Sequence, residues 1–168
     1  MTDSSFIVLE ARIQEELDNI HELRQSLEVR GFLTGDPELV SRLSDEWEAR
    51  GVGSTLHDLY SAVEKVFRII ARDVDQNVPS SAEWHRELLN QMSLSLPGIR
   101  PAVITKNLHN SLGEFLSFRH VFRNIYGFNL SPEKLASLLG RVPRVCQSFE
   151  EEITDFLEVM RKCLETLE

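Results

Sequence analysis

The chain has 168 residues, 42% apolar and 27% charged, which suits one globular domain with its own core and excludes extended disorder. Its 18 basic and 27 acidic side chains leave a net charge of −9. That balance excludes a protein coating nucleic acid non-specifically, yet leaves room for one local basic cleft.

A long first helix is expected from Ser5 to Gly31, because Phe6, Ile13, Ile20 and Leu27 recur every seven residues and Leu9, Leu17 and Leu23 widen the stripe. Asp36-Pro37 opens a short second helix that ends near Gly51-Val52-Gly53. Ser54 caps a third, whose apolar face is Leu56, Leu59, Tyr60, Val63, Phe67 and Ile70. After Pro79, Ser80 with Glu83 forms a capping-box pattern ahead of Trp84-His85 and Leu88-Leu89. A loop from Ser95 to Pro101 leads to a long fifth helix, from about Thr105 to Tyr126, with Gly127 as its stop. Ser131-Pro132-Glu133 starts a sixth helix. Pro143 separates it from a last one carrying Val145, Phe149, Ile153, Phe156, Met160, Leu164 and Leu167.

No stretch keeps the period-two alternation of a strand, so residues 1–168 read as a single all-α helical bundle. Cys146 and Cys163 fall on one helix about 25 Å apart, too far for a disulfide, and reduced thiols suit the cytoplasm. No segment reaches membrane-spanning length and no leader-like start is present. The expectation is a cytoplasmic protein without membrane association.

One polar cluster stands out, on the fifth helix. Counting about 100° per residue from Leu108, the residues Leu112, Phe115 and Phe122 define the inward sector. Arg119 falls at about 20°, Arg123 at about 60° and Tyr126 at about 0°, while His120 and Asn124 flank the sector at about 120° and 160°. A buried guanidinium costs several kcal/mol unless it is paired or opens into a wet cavity. Arg119 and Arg123 must therefore meet a cleft, a subunit interface or an internal carboxylate. A pair of arginines presents planar, bidentate donors suited to phosphate.

Arg119-His120-Val121-Phe122-Arg123-Asn124-Ile125-Tyr126 resembles the signature of HEPN domains, particularly HepT-like toxins. That signature is an Arg, a polar residue, three more, a His, any residue and a Tyr. Arg119, His120 and Tyr126 match it, and Asn124 stands where the His belongs. Phe67 to Asp73, Trp84-His85, Pro97 to Ile104 and Tyr126 to Pro132 extend the likeness over roughly residues 55 to 140. The resemblance implies a four- or five-helix HEPN bundle that dimerises, with two motif copies in one cleft. It also implies a metal-independent endoribonuclease acting on RNA, a toxin-type activity, and a nucleotidyltransferase-type antitoxin that modifies the Tyr. Under it Arg119, His120 and Asn124 are the catalytic candidates, with Arg123 and Tyr126 binding substrate and Tyr126 also accepting AMP.

Cleavage by a ribose 2′-OH needs a base, an acid and positive charge on the phosphorane. Asn124 cannot exchange a proton near neutral pH, so His120 is the candidate base. The rival reading is a catalytically silent helical partner of a nucleotidyltransferase-type protein, and the blandest is a bundle whose arginines are locked in salt bridges.

Other signals are weaker. Arg50 and His57 satisfy a loose nuclease spacing but are expected to straddle a helix break. Trp84 reads as core packing, His109 as a solvated or satisfied helix histidine, and Glu150-Glu151-Glu152 as a solvated face. No His, Cys or carboxylate spacing suits a metal, and no cofactor is expected.

Overall fold

The computed structural model describes residues 2–124 and 130–165, and among them it has seven helices and no strand. Helix α1 (Asp3–Val29) starts at a reciprocal cap between Thr2 and Ser5. It ends where Gly31 takes a φ of 73°. There Gly31 N–H donates to Glu28 O and Phe32 N–H to Leu27 O, which satisfies two carbonyls of the last turn. Its buried residues are Phe6, Leu9, Ile13, Leu17, Ile20 and Leu27, so the heptad-like stripe is the core face as expected. α1 packs along α3 (Glu46–Asp73) and α7 (Val142–Glu165).

Helix α3 runs through the middle of the bundle, touching α1, α4 (Trp84–Met92), α5 (Lys106–Asn124) and α6 (Pro132–Leu139). It begins at Glu46, more than two turns ahead of the Ser54 cap expected from the sequence. Asp45 is the actual cap, accepting from the backbone N–H groups of Trp47 and Glu48. The expected second helix shrinks to a single turn, α2 (Leu39–Arg42). The chain stays helical across Gly51 and Gly53 because tertiary packing uses the missing side chain. A Cβ on Gly53 would lie 2.7 Å from Phe122 Cε2 and 3.2 Å from Leu130 Cδ1. Gly53 thus lets the end of α5 lie close against α3.

The two glycines should respond oppositely to alanine. A Cβ on Gly51 would meet nothing within 4 Å, so Gly51→Ala should stabilise by about 0.4–1 kcal/mol. Gly53→Ala should destabilise by roughly 1–2 kcal/mol, the overpacking cost exceeding the gain in helix propensity. Urea unfolding midpoints check both signs.

The chain between α4 and α5 is held by a buried ion pair that sequence reading did not find. Arg100, with its side chain fully enclosed, donates from Nε and Nη2 to the Asp75 carboxylate at 2.5 and 2.8 Å. Its remaining N–H groups go to the backbone oxygens of Gln91, Leu94 and Pro101. Met92 O then accepts from Val103 and Ile104, which brings the chain round to the start of α5.

Helix α5 is anchored at its start by Glu152 of α7. The Glu152 carboxylate accepts from Thr105 N–H at 2.7 Å and from its hydroxyl at 2.9 Å. This corrects the reading of the acidic run as merely solvated. Ser131 caps α6 by accepting from Lys134 N–H, with Pro132 in the first turn as expected. The capping box expected at Ser80 is not used; Ser81 instead accepts from Glu83 N–H and donates to Glu87. Cys146 is buried and Cys163 exposed, both free on α7, and burial pushes the Cys146 thiol up to about 12. Among the described residues no helix is long and apolar enough to cross a membrane.

Candidate functional site

Glu64 occupies the apolar stripe of α3, four residues after Tyr60 and three before Phe67, and is 6% exposed. A carboxylate there needs partners, and they come from two other helices. His85, in the first turn of α4, donates from Nδ1 to Glu64 Oε2 at 2.5 Å. Arg119 of α5, itself 8% exposed, donates from Nη1 to His85 Nε2 at 3.2 Å and places Nη2 3.6 Å from Glu64 Oε1. Arginine can only donate, so His85 Nε2 must offer its lone pair and the ring is neutral, protonated on Nδ1.

The guanidinium is under-satisfied in this niche. Arg119 Nε is buried with no hydrogen-bond partner, and its contact with Glu64 is longer than a hydrogen bond. Around the three residues the packing is aromatic. Trp84 stacks on His85 with centroids 3.5 Å apart, the Arg68 guanidinium lies 5.3 Å from the Trp84 ring centroid, and His120 meets His85 edge-on at 5.5 Å. Burial, with Glu64's charge adding to it, raises the Tyr60 pKa, so the phenol stays protonated.

Burial also holds His85 below the ordinary imidazole value; Glu64 opposes the shift, and the charges of Arg119 and His120 add to it. The sign for stability follows directly. An imidazole with a depressed folded pKa contributes stability above its unfolded value of about 6.5 and loses it as pH falls through the folded one. The melting temperature should therefore drop on acidification from about pH 7.5 to 5.5. His85→Gln should flatten that part of the profile; an unchanged slope would remove His85 as its source.

The structure sorts the sequence candidates. Arg119 points inward and meets the internal carboxylate that the sequence left open as one alternative. Arg123, expected beside the apolar stripe, is exposed and has no ion pair among the described residues. His85 of α4 covers the stripe at Arg119, while Arg123 lies one turn further on at the sector's edge. His120 and Asn124 are exposed on the flank, with Asn124 Nδ2 donating to His120 O at 2.9 Å. Tyr126 lies outside the described residues, as do Gly127, the expected stop of this helix, and Leu167 of the last apolar stripe. Glu64 was missed, although an acidic side chain on a core stripe is the same kind of signal as Arg119.

The remaining candidates are settled by local contacts. Arg50 and His57 do share one helix, contrary to expectation, because α3 continues through the two glycines. Arg50 pairs with Glu46 at 2.6 Å, and His57 packs on the Phe122 ring at 5.7 Å. His109 Nε2 meets Asn90 Oδ1 at 2.8 Å. Among the described residues no group of three or more His, Cys, Asp or Glu is arranged to hold a metal ion.

Charge is unevenly placed. Helix α1 carries seven acidic and two basic side chains, and α7 six and three, so most of the net negative charge lies on these two packed helices. Helix α5 instead carries Lys106, Arg119 and Arg123 against the single acid Glu114. At the end of α5 the exposed cation is Arg123, since Lys106 stands at the other end and Arg119 is buried against Glu64.

The model of one protein family, described as HepT-like protein, matches residues 51–160. No curated protein and no solved structure matches the chain.

Proposed function

Since the chain belongs to the HepT-like family of HEPN proteins, we propose that it is an endoribonuclease of toxin type, needing no metal, that works as a homodimer. The observation that carries the reading is the end of α5. Arg119, His120 and Arg123 follow within little more than one turn; His120 and Arg123 are exposed there, and Arg119 is buried beside them against Glu64 and His85. Arg123 holds the scissile phosphate, and positive charge at this end of α5 stabilises the phosphorane. His120, exposed on the flank of the helix, takes the 2′-OH proton. Asn124 replaces the proton-transferring residue of the family motif and acts as a hydrogen-bonding wall, and Tyr126, the last residue of the motif, binds substrate and accepts AMP.

The same helix supports the dimer. Gly113, Ser117 and Val121 lie on the side of α5 that bears His120 and Asn124, at helical spacing. With Phe118 and Leu138 they line a hollow of about 430 Å3, and Val121 is 49% exposed. A second copy seated there brings two His120–Asn124 pairs toward each other. The antitoxin of such a pair is a nucleotidyltransferase-type protein.

A second reading rests on a different observation. Arg119 already contacts Glu64 of its own chain, and Asn124 cannot transfer a proton. On that basis the protein is a catalytically silent helical partner of the nucleotidyltransferase. Incubating the purified protein with total RNA in the presence of EDTA separates the two. Cleavage that survives EDTA and is lost in Arg119→Ala and His120→Ala supports the nuclease; intact RNA with all three proteins, each still helical by circular dichroism, supports the silent partner.

A further inference from the structure

The contact between Arg119 and His85 can exist in only one protonation state. His85 Nε2 accepts from Arg119 Nη1 at 3.2 Å while Nδ1 donates to Glu64, so both ring nitrogens are committed in the neutral form. Adding a proton at Nε2 sets donor against donor and cation against cation at that distance. The single carboxylate of Glu64 must then serve two positive groups, and it is hydrogen-bonded to His85 but not to Arg119. Arg119 has the least to lose, having an orphaned Nε and a long ion pair. It lies one turn before Arg123, which is exposed at the end of α5.

We infer that Glu64 and His85 form a latch that stows Arg119 against α3 and releases it toward solvent when His85 is protonated. Phosphate binding at the end of α5 is then stronger in acid, because a second guanidinium joins Arg123 there. This rests on the phosphate-binding reading of the motif. Among the described residues, titratable and charged groups come to the His85 niche from α3 and α5. From α3 Glu64 meets the ring, with Tyr60 beside Glu64 and Arg68 held over the Trp84 ring; from α5 Arg119 and His120 meet it. Only Glu64 favours the protonated ring, while Arg119 and His120 oppose it. Binding an anion to Arg119 therefore also favours protonation of His85, by linkage.

The test has two arms, so that failure of the latch and failure of the phosphate site read differently. In the first, nitrogen NMR of the labelled full chain follows the His85 ring and the Arg119 Nε signal between about pH 7.5 and 5. The expected result is a protonated Nδ1 and bare Nε2 at the upper end, with Arg119 shifting at the His85 midpoint. In His85→Gln the Arg119 signal should stay constant. In the second arm, a fluorescein-labelled single-stranded RNA oligomer should bind roughly 10-fold more tightly at the acid end, as expected of one added charge-assisted contact. That gain should vanish in His85→Gln, and Glu64→Gln should bind at neutral pH as the wild type does in acid. A His85 that titrates while the Arg119 signal holds still overturns the latch. An Arg119 that follows His85 while the RNA stays unbound upholds the latch and overturns the phosphate site.

Discussion

Replacing Asp75 by asparagine should lower the free energy of unfolding by about 3–5 kcal/mol, the cost of leaving one member of a buried ion pair alone. Arg100 is fully enclosed, and its Nε and Nη2 bonds both end on the Asp75 carboxylate. Gln91 Nε2 donates to the same carboxylate at 2.6 Å, so its loss unsettles three elements: the end of α3, helix α4 and the chain leading into α5. Adding Arg100→Met should not restore stability, because the carbonyls of Gln91, Leu94 and Pro101 then lose their donor. Urea denaturation of the single and double variants measures this directly. A loss under about 1 kcal/mol for Asp75→Asn would place the pair among ordinary surface bridges and remove its role as the anchor of this turn.

Asn124→His should raise RNA cleavage about 100-fold, the lower end of what a positioned general acid or base contributes. Asn124 is exposed, and among the described residues its amide donates to the His120 carbonyl, so the position tolerates an imidazole without disturbing the core. The variant adds a proton carrier one turn beyond His120 on the same side of α5. Single-turnover cleavage of a short RNA, with EDTA present, gives the comparison. His120→Ala in both backgrounds then assigns the base. If His120 performs that role in the wild type, its loss should abolish wild-type cleavage and leave much of the Asn124→His rate. An Asn124→His protein no faster than wild type would mean that proton transfer at this position is not what limits the reaction.

Much of the bundle was legible from residue order. The stripes of α1, α3 and, as far as Met160, α7 reappear as buried faces, because a helix must put its apolar side against something and the period of that side is local information. The Ser131-Pro132 start and the Gly31 stop were legible for the same reason, since caps are made by neighbours in the chain. The boundary near Gly51-Gly53 was misread. A glycine pair has the look of a break, and only the approach of Phe122 and Leu130 explains why α3 continues through it. Arg123 was misplaced because a helical wheel gives a direction and not the extent of the neighbouring helix that covers it.

Residue order alone carried the amphipathic pattern of the helices, the unpaired cysteines, and a motif whose likeness to HepT-like proteins the family match over residues 51–160 bears out. Those are local properties, held in spacing and side-chain chemistry within a few turns. Which groups meet across the bundle came from the folded chain. Glu64, His85 and Arg119 lie on three helices, His85 being 21 residues from Glu64 and 34 from Arg119 along the chain, and Arg100 finds Asp75 across 25. A buried charge is tolerated only beside a counter-group, and no periodicity in one helix says which residue of another will supply it.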